Sequence, residues 1–262
     1  MLHVEQWRRQ LLVLANAEKA AHLSYFFKTG KGEYAEGDVM LGITVPSNRL
    51  VSKKYLTLPV GGIAEMLHSP EHEFRLGALI ALVEKYCREP TARDEIVQCY
   101  IGNLEYINNW DLVDLSAPGI LGRHQLDHPT LPLLEPLSHR QLLWARRIAI
   151  VSTLTLIRNG HFDLTLRFAE QYLSADEDLI HKATGWMLRE VGKRSEPTLL
   201  AFLNANAAAM PRTALRYAIE RLQPELRRHY ITWPWAKCAP KSSDALRLIG
   251  PGHHHPFNSP IM

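Results

Sequence analysis

The stretch Asn108-Asn109-Trp110-Asp111-Leu112-Val113-Asp114 sets a large aromatic ring and two carboxylates close together. Asn is a good helix N-cap, because its side-chain oxygen accepts a free backbone N–H, so a helix is expected to start here. Trp110 and Asp114 then lie four residues apart and share a face. Leu112 and Leu115 point to roughly the opposite side, toward a core. The core accounts for the leucines and leaves the aromatic and the carboxylate to face something else.

A second group lies in Ile180 to Lys193, IHKATGWMLREVGK. At ~100° per residue, Ile180, Ala183, Thr184, Met187, Leu188 and Val191 fall on one side of a helix. Lys182, Trp186, Arg189 and Lys193 form a stripe on the other. Cationic side chains with an exposed aromatic suit a phosphate backbone beside a sugar or base face. The alternative is a neighbouring element that covers Trp186 as ordinary core.

In QLLWARRIAIVSTLTLIR, residues 141 to 158, apolar side chains almost encircle the helix, so it is expected to be central. Arg146 and Arg147 interrupt that surface, and a guanidinium there must be paired, because an unpaired desolvated charge is costly. One is expected in a structural ion pair; the other is expected to emerge on the inner face as a phosphate clamp. In MPRTALRYAIERL, Pro211 suits a first helical turn and Arg212 and Arg216 stack at i, i+4, as a solvated face or as contacts to an anion.

These residues need elements to hold them, and helical patterning dominates all 262 residues. Among the expected helices are 71–88, 91–106, 109–124, 138–158, 177–192 and 211–222. Helix pairs recurring every ~40 residues suggest an all-α, right-handed solenoid of antiparallel HEAT-like repeats with a concave face fit for an extended polymer. The segment KTGKGEYAEGD, Lys28 to Asp38, lacks the spacing of a phosphate-binding loop and reads as a mobile connection that can touch DNA. The expected division is one domain over 1–232 and a Pro-, Gly- and His-rich, poorly ordered tail over 233–262.

Composition sets bounds on partners. The net charge of +3 is mild and permits nucleic acid without demanding it. Between residues 138 and 230, however, fourteen Lys and Arg face nine Asp and Glu, which tilts the second half toward an anion. Three cysteines without CxxC spacing argue against a disulfide framework or a structural zinc site. His68 and His72 have H-x3-H spacing but no third ligand nearby, so no metal is expected. The apolar run Leu11 to Ala15 is too short for a signal-peptide core, and nothing reaches transmembrane length; a cytoplasmic protein is the simplest reading.

Several blocks together resemble a known family: Tyr25–Pro46, Asn108–Ala117, Trp144–Leu154, Asp178–Lys193 and Met210–Glu220. They look like the DNA alkylation repair enzymes of the AlkD type, HEAT-like-repeat DNA glycosylases, with the likeness running from about residue 5 to 230. That resemblance implies hydrolysis of the N-glycosidic bond of N3- and N7-alkylated purines in duplex DNA. It places function on Trp110, Asp114, Arg147 and Trp186, with Arg189 as a backbone contact; the charge pattern adds Lys182, Arg212 and Arg216 as candidate contacts to DNA. It implies no cofactor, a monomer, and a nucleoid-associated cytoplasmic setting.

Physical chemistry fits that assignment. N3- or N7-alkylation makes the purine cationic and a good leaving group, and as it departs positive charge moves onto the sugar. Asp114 is expected to stabilise that charge and orient a water, while Trp110 and Trp186 offer π faces and Arg147 grips a phosphate. Two other readings stay open: a non-catalytic HEAT-like-repeat protein that binds branched or distorted DNA, and a protein-interaction solenoid whose DNA affinity would not depend on salt.

Overall fold

The computed structural model describes residues 3–232; the proposed tail lies outside the described residues. Among the described residues the chain is all-α, without a β-strand, and one isolated bridge joins Val39 to Glu71. No helix there is long and apolar enough to cross a membrane.

A row of five helices organises the molecule: His72–Arg88, Trp110–Ser116, Leu143–Arg158, Asp178–Arg194 and Arg212–Ala218. They begin 38, 33, 35 and 34 residues apart, and each packs on the next. This near-constant spacing with neighbour-only stacking is the architecture of a helical-repeat solenoid. Trp110, Asp114, Arg146, Arg147, Lys182, Trp186, Arg189, Lys193, Arg212 and Arg216 all sit on this row. One core runs from Trp7 to Val191, and a smaller one lies under the C-terminal helices around Phe202, Leu203 and Leu215.

The Leu143–Arg158 helix is central for the reason its composition suggests: Ile148, Ile150, Val151, Leu154 and Ile157 are all buried, leaving no solvent face. The Asp178–Arg194 helix buries Ile180, Ala183, Thr184, Met187, Leu188 and Val191, the face its periodicity marks out. Gly185 lets its neighbour come close, since a Cβ there would stand 2.4 Å from the Ala214 carbonyl oxygen.

Three expected helices are broken, 91–106 among them, which ends at Gly102 and is followed by a separate turn at Leu104–Tyr106. The 109–124 helix divides into Trp110–Ser116, a π-helical turn at Pro118–Gly122 and Arg123–Asp127. Pro118 has no N–H to donate and forces the ladder to widen, so that Gly122 N–H reaches the Ala117 carbonyl at 2.9 Å. The central helix accepts the consequence: Ser152 and Thr155 hydroxyls donate to the carbonyls of Ala117 and Pro118 at 3.3 and 2.6 Å. The 138–158 helix begins only at Leu143, with Glu135–Ser138 as a separate turn.

The glycine-rich segment is not the free connection expected of it. Gly30 and Gly32 N–H groups donate to the Glu33 and Glu36 carboxylates at 2.9 and 2.8 Å, and Ala35 N–H returns to the Lys28 carbonyl at 3.1 Å. Beyond it, the Glu73 carboxylate accepts N–H groups of Leu41, Gly42 and Ile43 at 2.8–3.2 Å and folds that strip onto the His72–Arg88 helix.

Candidate functional site

Asn109 caps its helix as expected: it is fully buried, and its side chain accepts the Trp110 N–H at 2.8 Å. Trp110 is half-buried as the first helical residue, and Asp114 follows one turn later. The Trp110 ring stacks on Phe27 with centroids 5.4 Å apart and meets Phe26 edge-on at 5.9 Å.

Arg147 closes on Asp114 from the central helix. Its Nη2 donates to both carboxylate oxygens at 2.9 Å, and its Nε donates to Oδ1 at 3.2 Å. Its Nη1 donates to the Leu179 carbonyl at 2.7 Å, so one guanidinium joins three helices of the row. For the phosphate clamp expected of it, Arg147 keeps one N–H on Nη1. The side chain is only 6% exposed and is committed to Asp114. Arg146 is paired as well, with Glu177. Both guanidinium groups interrupt an apolar helix, and both find carboxylates because desolvation demands it.

Burial raises the Asp114 carboxyl above its ordinary range, and the charge of Asp111 adds to this, while Arg147 opposes both. Oxygens that accept three N–H bonds are those of an ionised carboxylate. The result is a carboxylate more basic than usual, held rigidly one turn from an aromatic face.

The sequence reading missed a neighbouring network. His72, 2% exposed, bridges two carboxylates, with Nε2 2.8 Å from Asp111 and Nδ1 3.5 Å from Asp38. Arg75 Nη2 donates to Asp38 at 2.5 Å and to the Asn108 side-chain oxygen at 3.1 Å, and Asn108 in turn donates to Asp38 at 3.0 Å. Burial alone would favour neutral His72, but the Asp111 charge and both hydrogen bonds prevail and push it up to about 9. For Asp38, burial pushes upward and is outweighed by His72, Arg75 and Asn108, so its carboxyl lies below the usual range. His68, the other member of the H-x3-H pair, turns to Asn103 at 2.7 Å. Among the described residues no group of three His, Cys, Asp or Glu side chains is arranged to hold a metal ion. A cleft of about 580 Å³ opens beside this network, walled by Phe27, His72, Asp111 and Leu76.

The basic stripe is a surface feature whose charges are answered within the protein. Lys182 pairs with Asp178 at 2.8 Å, Lys193 with Glu190 at 2.6 Å, and Arg189 with Glu220. Trp186 is half-buried and packs against the main core, so part of its ring is covered as the core reading expects. On the last helix of the row Arg216 is exposed, while Arg212 is half-buried and donates to the Ile231 carbonyl at 3.1 Å. Pro211 stands just before that helix as its N-cap, one position earlier than expected.

Comparison with known proteins agrees with this picture. A family model described as DNA alkylation repair enzyme matches residues 7–222. No curated protein matched the chain. A solved structure described as "Predicted DNA alkylation repair enzyme from Enterococcus faecalis" is similar with a TM-score of 0.66 and 22% identity, over 80% of this chain and 97% of that one. At that identity the likeness is one of fold. The family match extends over most of the chain, carries a DNA repair role with it, and makes DNA the expected partner. The chain belongs to the DNA alkylation repair enzyme family.

Proposed function

We propose that this protein is a monofunctional DNA glycosylase that hydrolyses the N-glycosidic bond of cationic N3- and N7-alkylated purines in duplex DNA. The observation that carries this reading is Asp114, gripped by Arg147 at 2.9 Å one helical turn from the half-exposed Trp110. On this reading the row of helices curves as a right-handed HEAT-like superhelix, and a monomer lays DNA along its concave face.

As the C1′–N bond breaks, its electron pair neutralises the purinium and positive charge grows on the deoxyribose. Asp114 faces that charge, and Trp110 and Trp186 turn their π faces to the sugar. Asp114 has room for about four hydrogen bonds, and Arg147 supplies three, which leaves one for a water. Water adds to C1′ and its proton passes toward Asp114, whose raised basicity suits that task. Arg147 acts chiefly by fixing the carboxylate. Of its five N–H groups one on Nη1 remains, enough for a single phosphate contact. Lys182, Arg189, Arg212 and Arg216 bind the backbone and set register.

The test is release of 7-methylguanine or 3-methyladenine from methylated duplex DNA, with Asp114→Asn beside the unaltered protein. The proposal expects release by the unaltered protein and a loss of about 100-fold or more in the variant. Equal release by both rejects Asp114. Absence of release, together with salt-dependent binding to branched duplexes, would replace the enzyme with a DNA-structure binder.

A further inference from the structure

The end of the Ala17–Phe26 helix delivers a side chain that the mechanism above does not use. Thr29 and Lys28 N–H groups turn back to the carbonyls of Ser24 and Tyr25 at 3.2 and 3.4 Å, the pairing of a Schellman cap. That cap needs one residue in the left-handed region, usually glycine, and here Lys28 takes it with φ of +60°. The lysine has partners that hold it there: its Nζ lies 4.8 Å from the centre of the Tyr25 ring and 3.7 Å from Glu33. So ended, the helix leaves Phe27 as its C-cap, with the ring buried.

Phe27 stacks on two rings at once. The His72 imidazole lies against it with centroids 5.0 Å apart and planes at 29°, and the Trp110 indole at 5.4 Å and 28°. His72 is the fixed member, buried with Nε2 2.8 Å from Asp111 and Nδ1 3.5 Å from Asp38. Asp111 follows Trp110 directly in the chain. A closed circuit therefore runs from Trp110 through Asp111 and His72 to Phe27 and back to the indole. Trp110 needs that support, because it is half-buried at the first position of its helix and the torsion about an aromatic Cβ–Cγ bond is broad. The backbone alone does not set the plane of its ring. An offset ring pair is directional and does set it, whereas an aliphatic side chain fills the same space without dictating a plane. Covered on one face by Phe27, the indole has the other face to offer a sugar.

We propose that Phe27, seated on His72, is a positioning residue of the repair site, which sets the plane of the Trp110 indole and so the face presented to the deoxyribose. This deepens, and rests on, the glycosylase reading of Trp110. Phe27→Leu keeps an apolar side chain and removes the flat ring; Phe27→Tyr keeps the ring. Base release from methylated duplex DNA in single turnover is expected to fall about 10- to 100-fold in Phe27→Leu, the scale of a misplaced reacting geometry. Phe27→Tyr is expected to retain release. The heteronuclear 1H–15N NOE of the Trp110 indole, assigned by its loss in Trp110→Phe, is expected to drop in Phe27→Leu as the ring loosens, while the other indoles keep theirs. An undiminished NOE at Trp110 overturns the proposal, as does an unchanged rate in Phe27→Leu or an equal loss of rate in both variants. A drop at every indole also overturns it, since that marks a structural residue. Should Phe27→Leu fail to fold, His72→Gln carries the test from the other side of the circuit: it removes the ring against Phe27 and keeps a donor for Asp111. It must then lower the Trp110 NOE and slow release, and the absence of either change overturns the proposal. If the unaltered chain releases no base, the glycosylase reading is lost. A lowered Trp110 NOE in Phe27→Leu would then still establish that Phe27 holds the ring.

Discussion

The two charged regions of the row answer the same problem in opposite ways. Around Trp110, Asp114, Arg147, His72, Asp38 and Arg75 are nearly sealed, and each charge has fixed partners. Along Asp178–Arg194, Lys182, Arg189 and Lys193 also have acidic partners, but each of these pairs has at least one member open to solvent: Asp178 is 57%, Glu220 45% and Lys193 42% exposed. A buried pair loses several kcal/mol when one member is removed, whereas a surface pair is worth at most about 1 kcal/mol. The first region is therefore committed and holds a geometry. On the proposed function the second is exchangeable, and a phosphate is expected to replace a carboxylate there at small cost.

The strongest way to break the contrast is to remove one member of the Asp114–Arg147 pair. Arg147→Ala leaves Asp114 buried without its partner and is expected to destabilise the fold by about 3–5 kcal/mol, read by chemical denaturation. Base release should fall with it. Replacing both partners, Asp114→Leu with Arg147→Met, should recover much of that stability without recovering release. A cost below about 1 kcal/mol for Arg147→Ala would place the pair with the surface bridges and erase the distinction.

Next in size is a pH effect in the His72 network. Its folded value of about 9 lies above the ordinary histidine value of 6.5, so folding favours the protonated form. The associated stability, up to about 3 kcal/mol, is fully present below pH 6.5 and is lost as the pH rises through about 9. Asp38 works in the other direction. Its lowered carboxyl contributes stability above the ordinary carboxylate range and loses it as the pH falls. Denaturation midpoints from pH 6 to about 10 should decline, and His72→Gln should flatten that decline. A slope that survives the substitution would assign the titration to another group.

The same contrast explains what could be read from the chain. The Asn109 cap, the shared face of Trp110 and Asp114, and the apolar face of Asp178–Arg194 are local, so spacing alone reveals them. The requirement that Arg146 and Arg147 be paired was legible too, since it follows from their place in an apolar helix. Their partners were not, because Asp114 is 33 and Glu177 31 residues away in sequence. His72 was missed for the same reason: Asp38 and Asp111 lie 34 and 39 residues off, and spacing to His68 was the only local clue. In the glycine-rich segment composition suggested freedom. The counter-signal was present in Gly30/Glu33 and Gly32/Glu36, glycines followed three or four residues later by a carboxylate that folds back on them.

On the exchangeable side the expected effects are smaller and belong to DNA rather than to the fold. Lys182→Gln and Arg189→Gln should each change stability by less than about 1 kcal/mol. Each should also reduce the dependence of log affinity on log salt by about one, as expected when one fewer phosphate is neutralised. A variant that binds duplex with the unaltered salt slope would remove that residue from the interface.

The smallest effect is the most discriminating, because it requires a substitution to improve binding. Glu220 holds Arg189 from the neighbouring segment, so DNA must displace it before Arg189 reaches a phosphate. Glu220→Gln removes the competing charge and leaves an amide of the same length. If the pair is exchangeable, affinity for duplex DNA should rise about two- to fivefold at low salt, the equivalent of up to about 1 kcal/mol. The gain should shrink as salt screens the exposed charges. Weaker binding would show instead that Glu220 orients Arg189 for its phosphate. The stripe would then resemble the Asp114–Arg147 pair, in which the carboxylate is part of the machinery and not a placeholder for phosphate.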